Sequence, residues 1–151
     1  MTVPDPVVLV ACDKFKGSLV ATEVAQRVAV GVRRALPDAT VRSLLVADGG
    51  DGTLQVCEAL GWRLRSARVT GPDGAALRAR FAWDEPRRRA VIEVAEACGM
   101  RLLTRDGELP EDADAEAATS RGVGQLVLAA LDAGAEEVVL GLGGSATTDA
   151  G

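Results

Sequence analysis

Apolar and polar positions fall into blocks along the chain, and the period within the blocks changes twice. Val7 to Ala11 is a continuous, mostly β-branched run, the pattern of a strand buried on both faces. The polar stretch Cys12-Asp13-Lys14-Phe15-Lys16-Gly17-Ser18 follows, and then a helix to about Leu36. Val24, Val28 and Val32 stand four apart with Ala25, Ala29 and Leu36 beside them, which makes one apolar stripe. Arg33 and Arg34 in the last turns suit the helix dipole, and Pro37-Asp38 ends the helix. Val41 to Val46 predicts a second buried strand. It opens into Ala47-Asp48-Gly49-Gly50-Asp51-Gly52-Thr53, with Thr53 as N-cap of a short helix through Leu60. This β–loop–α–β–loop–α order predicts parallel strands with ligands at their C-terminal ends.

At Trp62 the period becomes two. Arg65 to Thr70 predicts a strand, and Gly71-Pro72-Asp73-Gly74 a turn. Leu77, Ala79, Phe81 and Trp83 alternate with Arg78, Arg80 and Ala82, the signature of a half-buried antiparallel strand. Asp84 to Arg89 is a further turn and Ala90 to Val94 a further strand. Trp62 to about Leu103 therefore reads as a small, mainly antiparallel excursion, with Arg87-Arg88-Arg89 as a solvated hairpin tip rather than an anion site. The acidic stretch Asp106 to Glu116 reads as a surface loop. After Thr119 to Gln125 the helical period returns through about Ala133, with Leu126, Ala130 and Leu131 on the apolar face and Gly134 as its stop. A last apolar run, Val138 to Leu140, predicts a buried strand. It breaks into Gly141-Leu142-Gly143-Gly144-Ser145-Ala146-Thr147-Thr148-Asp149.

Composition narrows the chemistry. With 151 residues, 48% of them apolar and few aromatic, the chain can build a core of Val, Leu and Ala. A formal charge of −5 argues against nucleic acid as a partner, because that binding depends on Lys and Arg neutralising phosphates. No apolar run reaches membrane-spanning length, and the first residues lack a signal peptide's basic and apolar parts. Cys12, Cys57 and Cys98 are widely spaced without metal-ligand spacing, which reads as reduced thiols in a cytoplasmic protein. The chain has no His and no Tyr. Catalysis must then use Asp, Glu, Lys, Arg, hydroxyls, backbone amides and an added metal.

Four loops carry candidate chemistry: those around Lys14 and Lys16, Asp48, Thr119 and Gly143. In a parallel sheet the loops after strands share one edge, which would gather lysines, acids, hydroxyls and open amides. Phosphoryl transfer needs this set. Glycines let the backbone approach a ligand, and successive amides can form an anion-binding concavity. Singly the signals are weaker. The Asp48–Gly52 stretch could be a tight turn and the two lysines merely solvated. No GxxxxGK followed by Ser or Thr occurs, so this is not a P-loop.

Asp13-Lys14-Phe15-Lys16-Gly17-Ser18-Leu19, Ala47-Asp48-Gly49-Gly50-Asp51-Gly52-Thr53 and Gly141-Leu142-Gly143-Gly144-Ser145-Ala146-Thr147 followed by Asp149 resemble, in this order, the glycerate kinase family. Val69-Thr70-Gly71-Pro72, Ile92-Glu93-Val94-Ala95 and Thr119 to Gly124 also resemble segments of that family. The family's bacterial type phosphorylates the 2-hydroxyl of D-glycerate with ATP and Mg²⁺. The resemblance implies an α/β enzyme with a Rossmann-like, mostly parallel sheet, helices on both faces, and an inserted, mainly antiparallel second domain. Residues 1–62 and 117–151 would belong to the α/β part and 63–116 to the β-rich insertion. It also implies a protein much longer than this chain. Asp51 and Gln125 stand where the family usually has Glu, Thr148 where it often has Asn, and Ala150 where it often has Gly. Val20 replaces the usual helix-opening Ser while Glu23 remains, so half of a capping box is lost, at roughly 0.5–2 kcal/mol.

The implied roles are as follows. Gly143, Gly144, Ser145 and Thr147 face the ATP phosphates. Lys16, with Lys14, neutralises the moving phosphoryl group or binds the glycerate carboxylate, alongside Asp13, Ser18, Gly49 and Gly50. Asp48 and Asp51 hold Mg²⁺ or orient the hydroxyl, and Asp149 competes for the role of base. Two other readings remain: a sugar or mevalonate-type kinase with a Gly/Ser phosphate loop, and a non-catalytic anion-binding fragment. Apolar surface at an open sheet edge would favour self-association, with a homodimer as its simplest form.

Overall fold

In the computed structural model, residues 5–15, 18–111, 113–114 and 116–149 are described. They form two compact units, one ending at Asp48 and the other beginning at Gly49.

The first unit is a β–α–β unit. Strand β1 (Val7–Cys12) pairs in parallel with β2 (Thr40–Leu45), in a register running from Val7 opposite Thr40 to Cys12 opposite Leu45. Helix α1 (Ala21–Ala35) connects them. Its start keeps the half of the capping box that the sequence retains: the Val20 amide donates to Glu23 Oε2 at 3.2 Å. The buried positions are Val10, Val24, Ala25 and Ala29. The apolar stripe of α1 is therefore narrower than its four-residue spacing predicts, since Val28 and Leu36 are exposed. The expectation of strands buried on both faces also fails here. Leu9 is 60% and Leu44 50% exposed. A parallel sheet needs cover on both faces, and among the described residues of this unit α1 is the single helix.

The second unit is a four-stranded mixed sheet in the order β3-β4-β5-β6, formed by β3 (Arg63–Thr70), β4 (Ala76–Asp84), β5 (Arg89–Glu93) and β6 (Glu137–Gly141). The first two pairings are antiparallel and β5 with β6 is parallel. The alternation in the sequence accounts for the two faces. Ala79, Phe81, Trp83, Ala90 and Ile92 form one core with Leu126 and Ala130 of α4 (Arg121–Asp132). Ala82 and Val91 point the other way and pack with Leu54 and Cys57 of α2 (Thr53–Ala59). Helices thus cover both faces, and α4 is the crossover that a parallel β5–β6 pair requires. The short α3 (Ala95–Cys98) and a 3₁₀ turn (Met100–Leu102) follow β5 directly.

Two local readings are corrected. Gly52, with φ of 106°, occupies the cap position of α2, and Thr53 is its first helical residue. The Thr53 hydroxyl instead donates backwards to the Gly50 carbonyl at 2.8 Å. On α4 Leu131 is exposed. The arginines of the hairpin tip stand in solvent as expected, and each also meets an acid: Arg87 with Asp84 at 2.7 Å, Arg88 with Glu136 at 3.0 Å and Arg89 with Glu137 at 2.7 Å. All three cysteines are free. Among the described residues no helix is long and apolar enough to cross a membrane.

Candidate functional site

The motif residues divide between the two units. The first unit carries Asp13, Lys14 and Ser18 in the loop after β1, and Asp48 at its end. Asp13 Oδ1 accepts the Lys14 amide at 2.7 Å, and the Lys14 ammonium lies 3.8 Å from the same carboxylate. The Ser18 hydroxyl donates to the Phe15 carbonyl at 3.3 Å. This loop therefore holds a half-buried Lys–Asp pair beside an exposed hydroxyl. Asp48 is exposed and engaged in contacts of its own. Lys16 and Gly17 lie outside the described residues.

The second unit brings two glycine loops together. The turn Gly49–Gly52 opens α2, with φ of 89° at Gly49 and 106° at Gly52. The loop after β6 lies against it. The Gly143 amide donates to the Gly49 carbonyl at 3.3 Å, and the Val94 amide to the Gly141 carbonyl at 3.0 Å. Only glycine fits this contact. A Cβ at Gly141 would collide with the Gly49 carbonyl oxygen, and one at Gly143 would stand 2.5 Å from Gly50 Cα. The far side of the loop is tied to α3: the Met100 amide donates to Gly144 O at 3.0 Å and the Ala146 amide to Cys98 O at 2.8 Å. Between these ties, the Gly144 and Ser145 amides have no acceptor among the described residues. Gly144 has φ of 74°. Two successive open amides, one of them on a left-handed glycine, can cradle an anion. Ser145 and Thr147 also line an apolar cleft of about 370 Å³ with Val123, Val127, Leu140 and Leu142.

Asp149 has a structural task. Its Oδ2 accepts the Ser120 amide at 2.7 Å, the Ser120 hydroxyl at 3.1 Å and the Thr119 hydroxyl at 3.3 Å. The end of the glycine loop is thereby fixed to the start of α4, a favourable place for a negative charge. Gln125 also has a defined partner. Its Oε1 accepts the Thr70 amide at 2.7 Å, so the amide side chain supplies the acceptor a carboxylate would.

An acid–arginine chain runs beneath these loops, and of its members the sequence singled out Asp51 but not Arg80, Glu96 or Arg101. Asp51 pairs with Arg101 Nε at 3.2 Å, and Arg101 Nη2 reaches Glu96 at 2.9 Å. Glu96 is buried and takes a bidentate fork from Arg80, at 3.0 and 2.8 Å, with the Arg80 amide at 3.1 Å. Burial pushes the Glu96 carboxyl up, but the Arg80 bonds and the two guanidinium charges outweigh it and hold it below the usual range. Glu93, 3% exposed, accepts the Leu54 amide at 3.1 Å. Burial pushes its carboxyl up; the Leu54 bond opposes this, and the Glu96 and Asp51 charges add to it. The signal available for Glu93 was an acid inside the apolar run Ala90–Ala95. Among the described residues no group of three or more His, Cys, Asp or Glu could hold a metal ion. Asp48 and Asp51 are nevertheless hard oxygen donors of the kind Mg²⁺ takes one or two at a time, alongside phosphate oxygens.

The sequence profile described as glycerate kinase family matches residues 8–151. A glycerate kinase of Bacillus subtilis is 44% identical over 95% of the chain, and a glycerate 2-kinase of Escherichia coli K12 41% identical over 95%. The chain spans about 37% of the length of each of these relatives. A crystal structure described as a glycerate kinase 2 from Salmonella typhimurium LT2 superposes with a TM-score of 0.76 at 39% identity, over 97% of this chain and 38% of that one.

Proposed function

The chain belongs to the glycerate kinase family, and on that premise we propose that the protein containing it transfers the γ-phosphoryl group of ATP to the 2-hydroxyl of D-glycerate. The observation that carries this reading is the pair of interlocked glycine loops. Gly143 sits on Gly49, and the Gly144 and Ser145 amides are open to an anion.

Phosphoryl transfer asks a protein mainly for positioning and charge compensation. In this reading the Gly144 and Ser145 amides, with the Gly143 backbone and the Ser145 and Thr147 hydroxyls, hold the nucleotide phosphates. Lys16 and Lys14 meet the transferring group or the glycerate carboxylate, with Asp13 and Ser18 shaping that loop. Asp48 orients the attacking hydroxyl and accepts its proton as the oxygen–phosphorus bond forms and ADP leaves. Asp149 is the second candidate for that proton, although its Oδ2 is committed to Ser120 and Thr119. Asp48 and Asp51 would hold Mg²⁺, which supplies charge neutralisation at the phosphates. Asp51 would then exchange Arg101 for the ion. The chain spans about 37% of the length of these relatives, and in this reading it contributes the phosphate-facing part of the site.

The test is turnover of the whole encoded protein with Mg·ATP and D-glycerate, with galactose and mevalonate as control acceptors. Asp48→Asn and Lys16→Ala are each expected to lower kcat by at least about a hundredfold. Near-normal turnover in both variants would overturn the role assignments. Phosphorylation of a control acceptor in place of glycerate would overturn the substrate.

A further inference from the structure

Glu93 is a carboxylate where a carboxylate is costly. It ends β5 between Ile92 and Val94, both buried, and lies opposite Gly141 in the parallel ladder. Its hydrogen-bond partner is the Leu54 amide in the first turn of α2. No arginine pairs with it: Arg80 and Arg101 are both spent on Glu96, and Arg101 also on Asp51. The charged and titratable groups that face it are Asp51 before α2, Cys57 on α2, Arg80 on β4, Glu96 on α3 and Arg101 in the 3₁₀ turn. A leucine would fill this volume without the desolvation cost. The acid therefore has to be explained by what it holds.

Leu54 follows the turn Gly49–Gly52 directly. That turn is closed by the Thr53 amide and hydroxyl, both donating to Gly50 O, at 3.1 and 2.8 Å. Its other side carries the Gly143 amide on Gly49 O and the backbone of Gly143 against Gly50. One end of the Glu93 residue is thus in the ladder beside β6 and the other grips α2. Its side chain therefore links the end of β5 to the first turn of α2, beside the contact between the two glycine loops.

We propose that Glu93 is a positioning residue that, by holding the Leu54 amide, fixes the Gly49–Gly52 turn against the Gly141–Ser145 loop and so aims the Gly144 and Ser145 amides. The hydrogen-bonding part of this inference stands on geometry alone. Its effect on turnover rests on the kinase reading.

The experiment compares Glu93→Leu and Glu93→Gln in the whole encoded protein, reading amide hydrogen exchange, thermal melting and steady-state kinetics for ATP and D-glycerate. Leucine removes the acceptor; glutamine keeps one without the charge. Glu93→Leu should speed exchange at Leu54 and across Gly141–Ser145 by roughly tenfold or more. It should also lower kcat/KM for ATP by roughly tenfold or more, without lowering the melting temperature in proportion. Glu93→Gln should restore both to within a few-fold and abolish the pH step in the Leu54 protection factor (exchange corrected for its intrinsic pH dependence) expected in the unsubstituted protein. Wild-type exchange and kinetics in Glu93→Leu would overturn the proposal. If Glu93→Leu does not fold, the pH comparison decides: the same step in the Leu54 protection factor of Glu93→Gln overturns it, and a flat protection profile supports it. An unsubstituted protein that phosphorylates no glycerate would sink the kinase reading, and the exchange measurements would still judge Glu93.

Discussion

At the scale of single residues, two glycines two residues apart on α4, and so on opposite faces of the helix, have opposite reasons to be there. Gly122 lets the helix touch β3: a Cβ would collide with the Thr70 carbonyl oxygen and stand 3.2 Å from Ala97 Cβ. Gly124 has nothing within 4 Å of the same position. Gly122→Ala should therefore destabilise the unit by about 1–3 kcal/mol through overpacking. Gly124→Ala should stabilise it by about 0.5–1 kcal/mol through helix propensity. Urea denaturation followed by tryptophan fluorescence measures both, because Trp62 and Trp83 are the chain's two tryptophans and both lie in this unit. The sequence Arg121-Gly122-Val123-Gly124 makes the two glycines look alike. What separates them is a strand some fifty residues away in the chain, and no local pattern encodes that distance. The close contact of Gly141 and Gly143 with Gly49 and Gly50 was more legible. Glycines clustered at strand ends have few purposes other than turns and close approach.

At the scale of elements, periodicity found every strand and every long helix but misjudged which faces are covered. A stripe such as Val24, Val28, Val32 records where apolar residues are, and burial depends on what packs against them. In the first unit only Val24, Ala25 and Ala29 of α1 are buried. The start of α4 was less legible still. Ser120 takes the cap position without a side-chain cap bond, and Asp149, 29 residues later, accepts its amide instead. A local search for a capping residue cannot see such a donor–acceptor pair. Asp149→Ala should cost the α4 start about 0.5–2 kcal/mol, with Asp149→Asn losing less because an amide oxygen still accepts. Denaturant midpoints of the two variants, together with exchange at Ser120 and Arg121, check this. Equal midpoints for wild type and Asp149→Ala would show that the loop end is held by other contacts.

At the scale of the whole second unit, two buried acids pull stability in opposite directions with pH. Glu96, held by Arg80 and Arg101, has its folded pKa depressed below the ordinary 4.5. Its stabilisation is present above that ordinary value and is lost as pH falls through the depressed one. Glu93 has its folded pKa raised above the same 4.5, chiefly by burial. Its contribution is complete below the ordinary value and is lost as pH rises through the raised one. Stability should therefore peak in weakly acidic solution, falling on the acid side with Glu96 and on the neutral side with Glu93. Glu93→Gln should remove the neutral-side fall while leaving the acid-side fall in place, and Arg80→Met should weaken the support that Glu96 gives above its ordinary pKa. Urea midpoints between pH 3 and pH 8 would show both. A formal charge of −5 gives no hint of this behaviour, since it counts Glu93 and Glu96 alike. The difference between them is that one carboxylate has an arginine fork and the other a single amide. If Glu93→Gln is no more stable than wild type at neutral pH, the acid is not destabilising where it sits, and its place beneath the glycine loops needs another cause.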